Sequence, residues 1–374
     1  TENNKNSNSP AERAKGNTPA LRFPGFTEPW CVSKLKSYLK ENKERNKHSE
    51  FAKEEVLSVS GQDGIINQIK HLGRSFAGKS VADYHVVRHG NIVYTKSPLK
   101  EYPYGIVKYN RGVDGIVSTL YAVYETNNKS DGTFVEYYFA SVNRINRYFK
   151  PIVRIGAKHD MKIGNEEVLQ NTVCFPDIME QKKIATFLSL LDERIATQRR
   201  LIEDLEKLKT SIVERYFAMQ SDTTIELGDI GCFIRGMTYS AEDVTDDETA
   251  IMIIRANNLN YGKNVDRSDV VHVAKVPHKN QILRKGDIAI CMANGSSALV
   301  GKNSYYPHDD MKSTIGAFCG IYRSSNPLVK WYMQSNTYKR QINHSLQGGN
   351  GAIANLNGED ILNISFYCCP IKLK

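Results

Sequence analysis

Apolar positions along this chain change their spacing twice, and the changes divide it into three parts. From Lys34 to about Gln170, short β-branched and aromatic runs at Glu55–Val59, Gly90–Thr95 and Gly115–Tyr124 alternate with Gly, Asn and Asp turns, which predicts strands. Between Thr133 and Tyr148 the apolar residues fall at helical spacing instead. The last part repeats this order, with strands expected at Ala250–Arg255, Gly286–Met292 and Gly316–Tyr322 and a helix over Leu328–Leu346. Between the two lies the clearest helix of the chain, from about Met179 to Met219, opened by Pro176-Asp177, where Asp177 or a neighbour can cap. Ile184, Leu188, Leu191, Ile195, Leu201/Ile202, Leu205, Leu208, Ile212 and Tyr216 form one apolar seam at spacings of three and four, uninterrupted by Gly or Pro. At ~1.5 Å per residue this helix is roughly 55–60 Å long, too long to bury against one ordinary domain. Its seam calls for a partner helix.

The two flanking parts also share motifs. Lys34-Leu35 matches Glu226-Leu227, and Val87–Ile92 (VRHGNI) matches Leu283–Ile288 (LRKGDI). Val135–Phe139 matches Val329–Met333, Ile163–Leu169 matches Leu356–Leu362, and Pro176 matches Pro370. The offsets are 192, 196, 194, 193 and 194 residues, in unbroken order. A period this long marks a duplicated domain, not a solenoid. The expected fold is therefore α/β (α+β): two pseudo-repeated domains with mixed or mostly antiparallel sheets, joined by a long coiled-coil-type helix. Residues 1–20, rich in Asn, Lys, Ser and Pro, read as a disordered tail. The divisions that follow are a first domain over 21–178, the spacer helix over 179–220 and a second domain over 221–370. The repeat places a second copy of the helix just after Pro370. Residues 371–374 are read as its start, its remainder lying beyond Lys374 or being supplied by another chain.

Composition adds less than pattern. The chain has 374 residues and is 40% hydrophobic, enough for real cores. It shows no signal peptide and no apolar run near the roughly 18 residues of a membrane span, so a cytoplasmic location is expected. Cysteines 31, 174, 232, 291, 319, 368 and 369 contain no C-x-x-C pair and read as buried, reduced thiols. The nine histidines have no metal-ligand spacing, so no metal is expected. The net charge of +9 is unevenly spread. Residues 1–178 carry 26 basic and 19 acidic side chains (+7), 179–220 carry 8 and 7 (+1), and 221–374 carry 16 and 15 (+1). An anionic partner fits the first part, since clustered Lys and Arg release counterions from a phosphate backbone.

Gly73–Ser80 satisfies the pattern of a phosphate-binding Walker A loop, which would make the alternative a nucleotide-binding enzyme. That chemistry needs a buried strand leading in and a helix leading out, whereas Ile65–Leu72 is interrupted by Asn67, Gln68, Lys70 and His71. A flexible loop touching nucleic-acid phosphates fits better. Pro176-Asp177…Glu180-Gln181-Lys182 has the residues of a nuclease signature, but at the mouth of a helix they read as a capping turn. Neither an aminomethyltransferase tetrapeptide nor a nucleophile triad can be identified, so no catalytic residue is assigned. What remains are polar, glycine-containing loops in comparable slots of both halves, and Asn, Gln, Ser, Arg and Lys there suit base edges and phosphates. The candidates are Ser60, Gln62, Lys79, Lys96, Arg154 and Lys158 in the first half. In the second they are Arg255, Asn257, Asn258, Lys263, Asn294, Ser296, Lys302, Gln347 and Asn350.

Leu21–Phe26 (LRFPGF) followed by Trp30, and Ile178–Asp192 (IMEQKKIATFLSLLD) opening the long helix, resemble the specificity subunit of type I restriction–modification systems. Tyr84–Tyr94 and Gly348-Gly349…Leu356-Asn357 resemble motifs inside that family's target-recognition domains. The resemblance covers the chain from about residue 20 onward and implies a non-catalytic, sequence-specific DNA-binding subunit. Each recognition domain would read one half of a bipartite target in double-stranded DNA, and the helix would set the spacing and dock two methyltransferase subunits. S-adenosylmethionine, ATP and Mg would belong to those and to motor-endonuclease subunits, with no cofactor in this chain.

Overall fold

The computed structural model describes residues 19, 21–78, 80–156, 161–218, 223–346 and 354–367. Apart from Pro19, the expected tail over 1–20 lies outside them, as does the segment 371–374. The chain divides into two compact units, Thr1–Thr197 and Gln198–Lys374.

In the first unit, strands β1 (Cys31–Lys34) and β12 (Thr172–Phe175) pair antiparallel. A four-stranded antiparallel sheet is ordered β2 (Leu39–Glu41), β9 (Tyr121–Thr126), β6 (Ile92–Thr95), β7 (Val107–Tyr109). Smaller pairs are β3 (Leu57–Ser60) with β4 (Gly64–Asn67), β5 (His85–Val87) with β8 (Gly115–Val117), and β10 (Arg154–Ile155) with β11 (Met161–Lys162). Helices are α1 (Gln68–Leu72), α2 (Gly132–Ala140) and α3 (Val142–Phe149). The core beneath the sheet is aromatic: Tyr94 stacks on Phe149 with ring centroids 4.3 Å apart, and Phe134 meets Phe175 edge-on at 5.1 Å.

The second unit builds the same order again. β13 (Thr224–Glu226) pairs β24 (Ser365–Tyr367), and an antiparallel sheet runs β14 (Gly231–Arg235), β22 (Cys319–Ser324), β18 (Ile288–Cys291), β20 (Asn303–Tyr305). A second sheet of β15 (Val244–Thr245), β17 (Val271–Val273), β16 (Ile251–Ile254) and β21 (Ser313–Ile315) contains a parallel pair, β16 with β21. The short strands β19 (Ala293–Asn294) and β23 (Ala354–Asn355) form a further antiparallel pair. Helices are α5 (Leu227–Ile230), α6 (Val329–Tyr332), α7 (Asn336–Leu346) and α8 (Gly358–Leu362). Tyr332 of α6 stacks on Phe366 of β24 at 4.3 Å, and in the first unit the matching helix and strand bring Tyr138 against Phe175 at 4.8 Å, there edge-on. The duplicated α/β architecture expected from the motif offsets is the observed one.

The matched VRHGNI and LRKGDI motifs have one physical cause. Gly90 and Gly286 both adopt positive φ (89° and 100°), the left-handed region that glycine enters without a Cβ penalty. The next residue then turns back. Asn91 Oδ1 accepts from the Arg88 N–H and Asp287 Oδ2 from the Arg284 N–H, each at 2.8 Å. Each turn launches the buried central strand of its sheet, β6 or β18.

Three sequence expectations are corrected in detail. The run Gly115–Tyr124 is two strands, because Ser118–Leu120 turns between β8 and β9. The expected helices over Thr133–Tyr148 and Leu328–Leu346 each break in two, the first at Ser141, whose backbone is extended (φ −75°, ψ 120°), and the second over residues 333–335. Cys31 and Cys232 are exposed, not buried: they sit in the short strand β1 and in the sheet-edge strand β14. Cys291 and Cys319 are buried free thiols, and Cys368 and Cys369 lie outside the described residues.

The long helix α4 (Ile178–Ala218) is continuous. At its start Ile184 and Ala185 join the first unit's core, and at its end Val213 and Phe217 join the second unit's. Between these anchors Leu191, Ile195, Ile202, Leu205, Leu208 and Ile212 are exposed, while Leu188 is half-buried. No helix among the described residues is long and apolar enough to cross a membrane.

Candidate nucleic-acid interface

The start of α4 explains the first two resembling motifs. Asp177 Oδ1 caps the helix by accepting from the Met179 N–H at 2.8 Å, as a capping turn should. Glu180, 1% exposed, receives both Arg22 Nε and Nη2 at 2.7 and 2.6 Å, a two-pronged pairing of guanidinium and carboxylate. Gln181, also buried, donates to the Lys129 and Pro176 carbonyls and accepts from the Asp131 N–H. Phe23 meets Phe187 edge-on at 5.5 Å. These carboxylates and amides hold the helix to the first unit, and their hydrogen bonds are met within it.

The Gly73–Ser80 loop follows a helix instead of preceding one. Gly73 caps α1 in the left-handed conformation, and β5 comes after the loop. The geometry that would aim a helix N-terminus at a nucleotide phosphate is missing there among the described residues. Lys79 itself lies outside them, as do Lys158, Gln347 and Asn350.

In the first unit Ser60 ends β3. Its hydroxyl accepts from the Gln62 and Asp63 N–H groups at 3.3 and 3.2 Å, shaping the hairpin and leaving Gln62 exposed at its tip. Arg154 is exposed on β10. Lys96 is half-buried and donates to Asn165 Oδ1 at 2.9 Å. Burial, with Arg45 close by, holds its ammonium below the ordinary lysine range.

The second unit gathers its candidates better. A cavity of about 710 Å³ is lined by Arg255, Asn257 and Asn294 together with Thr238, Tyr239 and Phe318. Arg255 precedes a single 3-10 turn after β16, Asn257 lies in that turn, and Asn294 ends β19. Arg255 reaches Asp269 at 3.6 Å and its Nε is buried with no partner among the described residues. Asn257 donates to the same Asp269 at 2.8 Å. Phe318, missed from the sequence because its segment scans as strand, is 73% exposed on a pinned turn: its carbonyl accepts from the Met292 and Ala293 N–H groups. Asn258 differs from its neighbour. It is buried, accepting from the Arg255 N–H and donating to the Asp269 carbonyl, so it shapes the turn. Ser296 and Lys263 are exposed on turns outside the cavity lining, and Lys302 is half-buried. Two amides, a guanidinium and an exposed ring around one recess can donate to, accept from and pack against a flat polar edge. No group of three or more His, Cys, Asp or Glu placed to hold a metal occurs among the described residues.

The fold is that of a type I restriction–modification S subunit. The crystal structure of such a subunit from M. genitalium overlays with a TM-score of 0.53 at 17% identity, covering 93% of this chain and 87% of that one. The chain is also similar to the specificity subunit of the type I restriction enzyme EcoKI of Escherichia coli (strain K12), 32% identical over 124 residues, or 31% of this chain and 26% of that protein. It is likewise similar to the StySPI specificity subunit of Salmonella potsdam, 31% identical over 134 residues, 34% of this chain and 28% of that protein. The matched region spans about a quarter of each curated relative. No family model matches the chain. The resemblance carried by the motifs is thus met again in a segment of sequence and in the fold.

Proposed function

We propose that this chain is a DNA-recognition subunit of a type I restriction–modification complex, each unit reading one half of a bipartite target. The observation that carries the reading is one antiparallel strand order built twice in a single chain, β2-β9-β6-β7 and β14-β22-β18-β20. Two like scaffolds with unlike loops suit an asymmetric two-part site. The similarity to specificity subunits and the amide-and-arginine recess of the second unit support it. In this reading the domains divide at 21–178, 179–220 and 221–370, and α4 sets the number of unread base pairs, one turn of B-DNA being about 34 Å. The exposed residues Leu191 to Ile212 form a seam for another helix, and methyltransferase subunits dock beside it. Transfer and cleavage chemistry, with S-adenosylmethionine, ATP and Mg, belongs to the partner subunits.

Methylome sequencing of cells with the methyltransferase, with and without this chain, tests the reading. One bipartite methylated motif that depends on the chain is the expected result. Methylation that is unchanged by its removal, together with equal affinity of the assembled complex for scrambled DNA, overturns it.

A further inference from the structure

Between Tyr137 and His159 the chain has no carboxylate, yet it carries Arg144, Arg147, Lys150, Arg154 and Lys158. The first three lie on or just after α3 at intervals of three residues, which places them along one side of the helix. Ile145, Tyr148 and Phe149 are buried on the other side, while Arg144, Arg147, Lys150 and Arg154 are exposed. None of these four has a carboxylate within ion-pairing distance among the described residues, whereas several other arginines and lysines are paired with carboxylates. Arg88 meets Glu44, Glu50 and Asp114, Lys108 and Arg111 share Glu136, and Arg267 and Arg323 meet Asp310 and Asp287. Arg144 is held in place, its guanidinium 4.5 Å over the Tyr138 ring and 3.5 Å from the Tyr138 carbonyl. Arg144 and Arg147 also border a recess of about 480 Å³ walled by Trp30, Tyr138, Tyr148 and Thr172, with no acidic residue in its lining.

We infer that this face of the first unit binds the phosphodiester backbone of the target duplex. The inference rests on the DNA-recognition reading and adds to it which surface carries the sequence-independent attraction. A row of cations rising by about 4.5 Å per step along a helix suits a row of phosphates better than a single carboxylate. The Tyr138 ring holds the Arg144 guanidinium without neutralising it. The second unit does not repeat the row. On α7, Lys339 lies 4.9 Å over the Tyr261 ring, Arg340 reaches Thr337 Oγ1, and Tyr338 and Gln341 are buried or bonded inward. The first unit therefore supplies most of the electrostatic grip, and the second contributes mainly at base edges.

The test uses the full chain assembled with its methyltransferase on its bipartite site, titrated at several salt concentrations. The double variant Arg144→Gln/Arg147→Gln should flatten the slope of log K against log salt by about 1.8, roughly 0.9 for each phosphate no longer neutralised. The ratio of affinities for target and scrambled DNA should hold within about twofold. Lys339→Gln/Arg340→Gln should change the slope by less than half as much. Arg144, Arg147 and Arg340 are exposed and Lys339 is half-buried, and an unchanged melting curve confirms that the variants fold. An unaltered slope in the first variant overturns the inference. So does a loss of methyltransferase capture without DNA, which would assign the face to an acidic protein surface. A wild-type complex with no preferred site would sink the DNA reading itself, and that is seen before any variant is made.

Discussion

Asn91 in the first unit and Asp287 in the second do the same work for the backbone, each accepting an arginine N–H three residues back at 2.8 Å. Around them the units part. Asn91 is neutral, and its other neighbour is the Asn42 amide at 3.5 Å. Asp287 carries a charge at 2% exposure, and Arg323 from β22 closes on it with Nε and Nη2 at 2.8 and 2.7 Å. The first unit places its own buried guanidinium–carboxylate pair elsewhere, at the root of the long helix. A duplicated scaffold thus keeps the backbone role of a position and lets its charge follow whatever packs against it. The surfaces diverge in the same way: an unneutralised cationic helix face in one unit, an amide-lined recess in the other.

The most severe way to separate the units is to break one buried pair at a time. Arg22→Ala leaves Glu180 charged and buried and should cost about 3–5 kcal/mol. Hydrogen exchange should show the loss in the first unit only, and Arg323→Ala the reverse. Simultaneous loss of protection in both units would end the picture of two scaffolds stabilised independently.

Replacing Asn257 or Asn294 by Ala should weaken target binding by about 1–3 kcal/mol each if it pairs with a base edge. The methylome should then relax in one half-site and stay fixed in the other. Relaxation of both halves would mean that the recess acts on the complex as a whole.

The first unit also buries a histidine. Burial, with Arg45 and Lys96 adding repulsion, pushes the His85 imidazole down to about 4. The lowered folded value favours the neutral ring, so its contribution is intact above the unfolded value of about 6.5 and is lost as pH falls towards 4. Urea unfolding should show a loss of about 2 kcal/mol between pH 7 and pH 5. His85→Gln should remove that pH dependence, and its persistence would assign the effect to other groups.

The mildest test is Gly90→Ala against Gly286→Ala. Both glycines have positive φ and no heavy atom closer than 3.8 Å to an added Cβ, so each should cost about 1–2 kcal/mol through backbone conformation alone. Unequal losses would show that the two turns are not mechanically equivalent.

Much of this was legible in order along the chain. The helix begins at Ile178, one residue before its expected start, and is unbroken to Ala218, the last described residue before 219, because an apolar seam without Gly or Pro leaves little room for another structure. The duplication was legible because a left-handed glycine followed by an Asx cap is a local device that leaves a local trace. Site residues were less so. Asn257 and Asn258 are adjacent and identical in type, yet one lines the recess and the other is buried within the turn. Phe318 scans as an ordinary strand residue, and only the turn at Gly316–Phe318 turns its ring outward.

What the sequence determined alone was whatever depends on near neighbours: the helix, the caps, the glycine turns and their recurrence about 194 residues later. Tertiary structure alone decided which strands pair, which carboxylate meets Arg22 from 158 residues away, and which cations are left without a counter-charge. Those outcomes depend on desolvation and packing between distant segments, and a side chain's burial or freedom is a property of what folds over it.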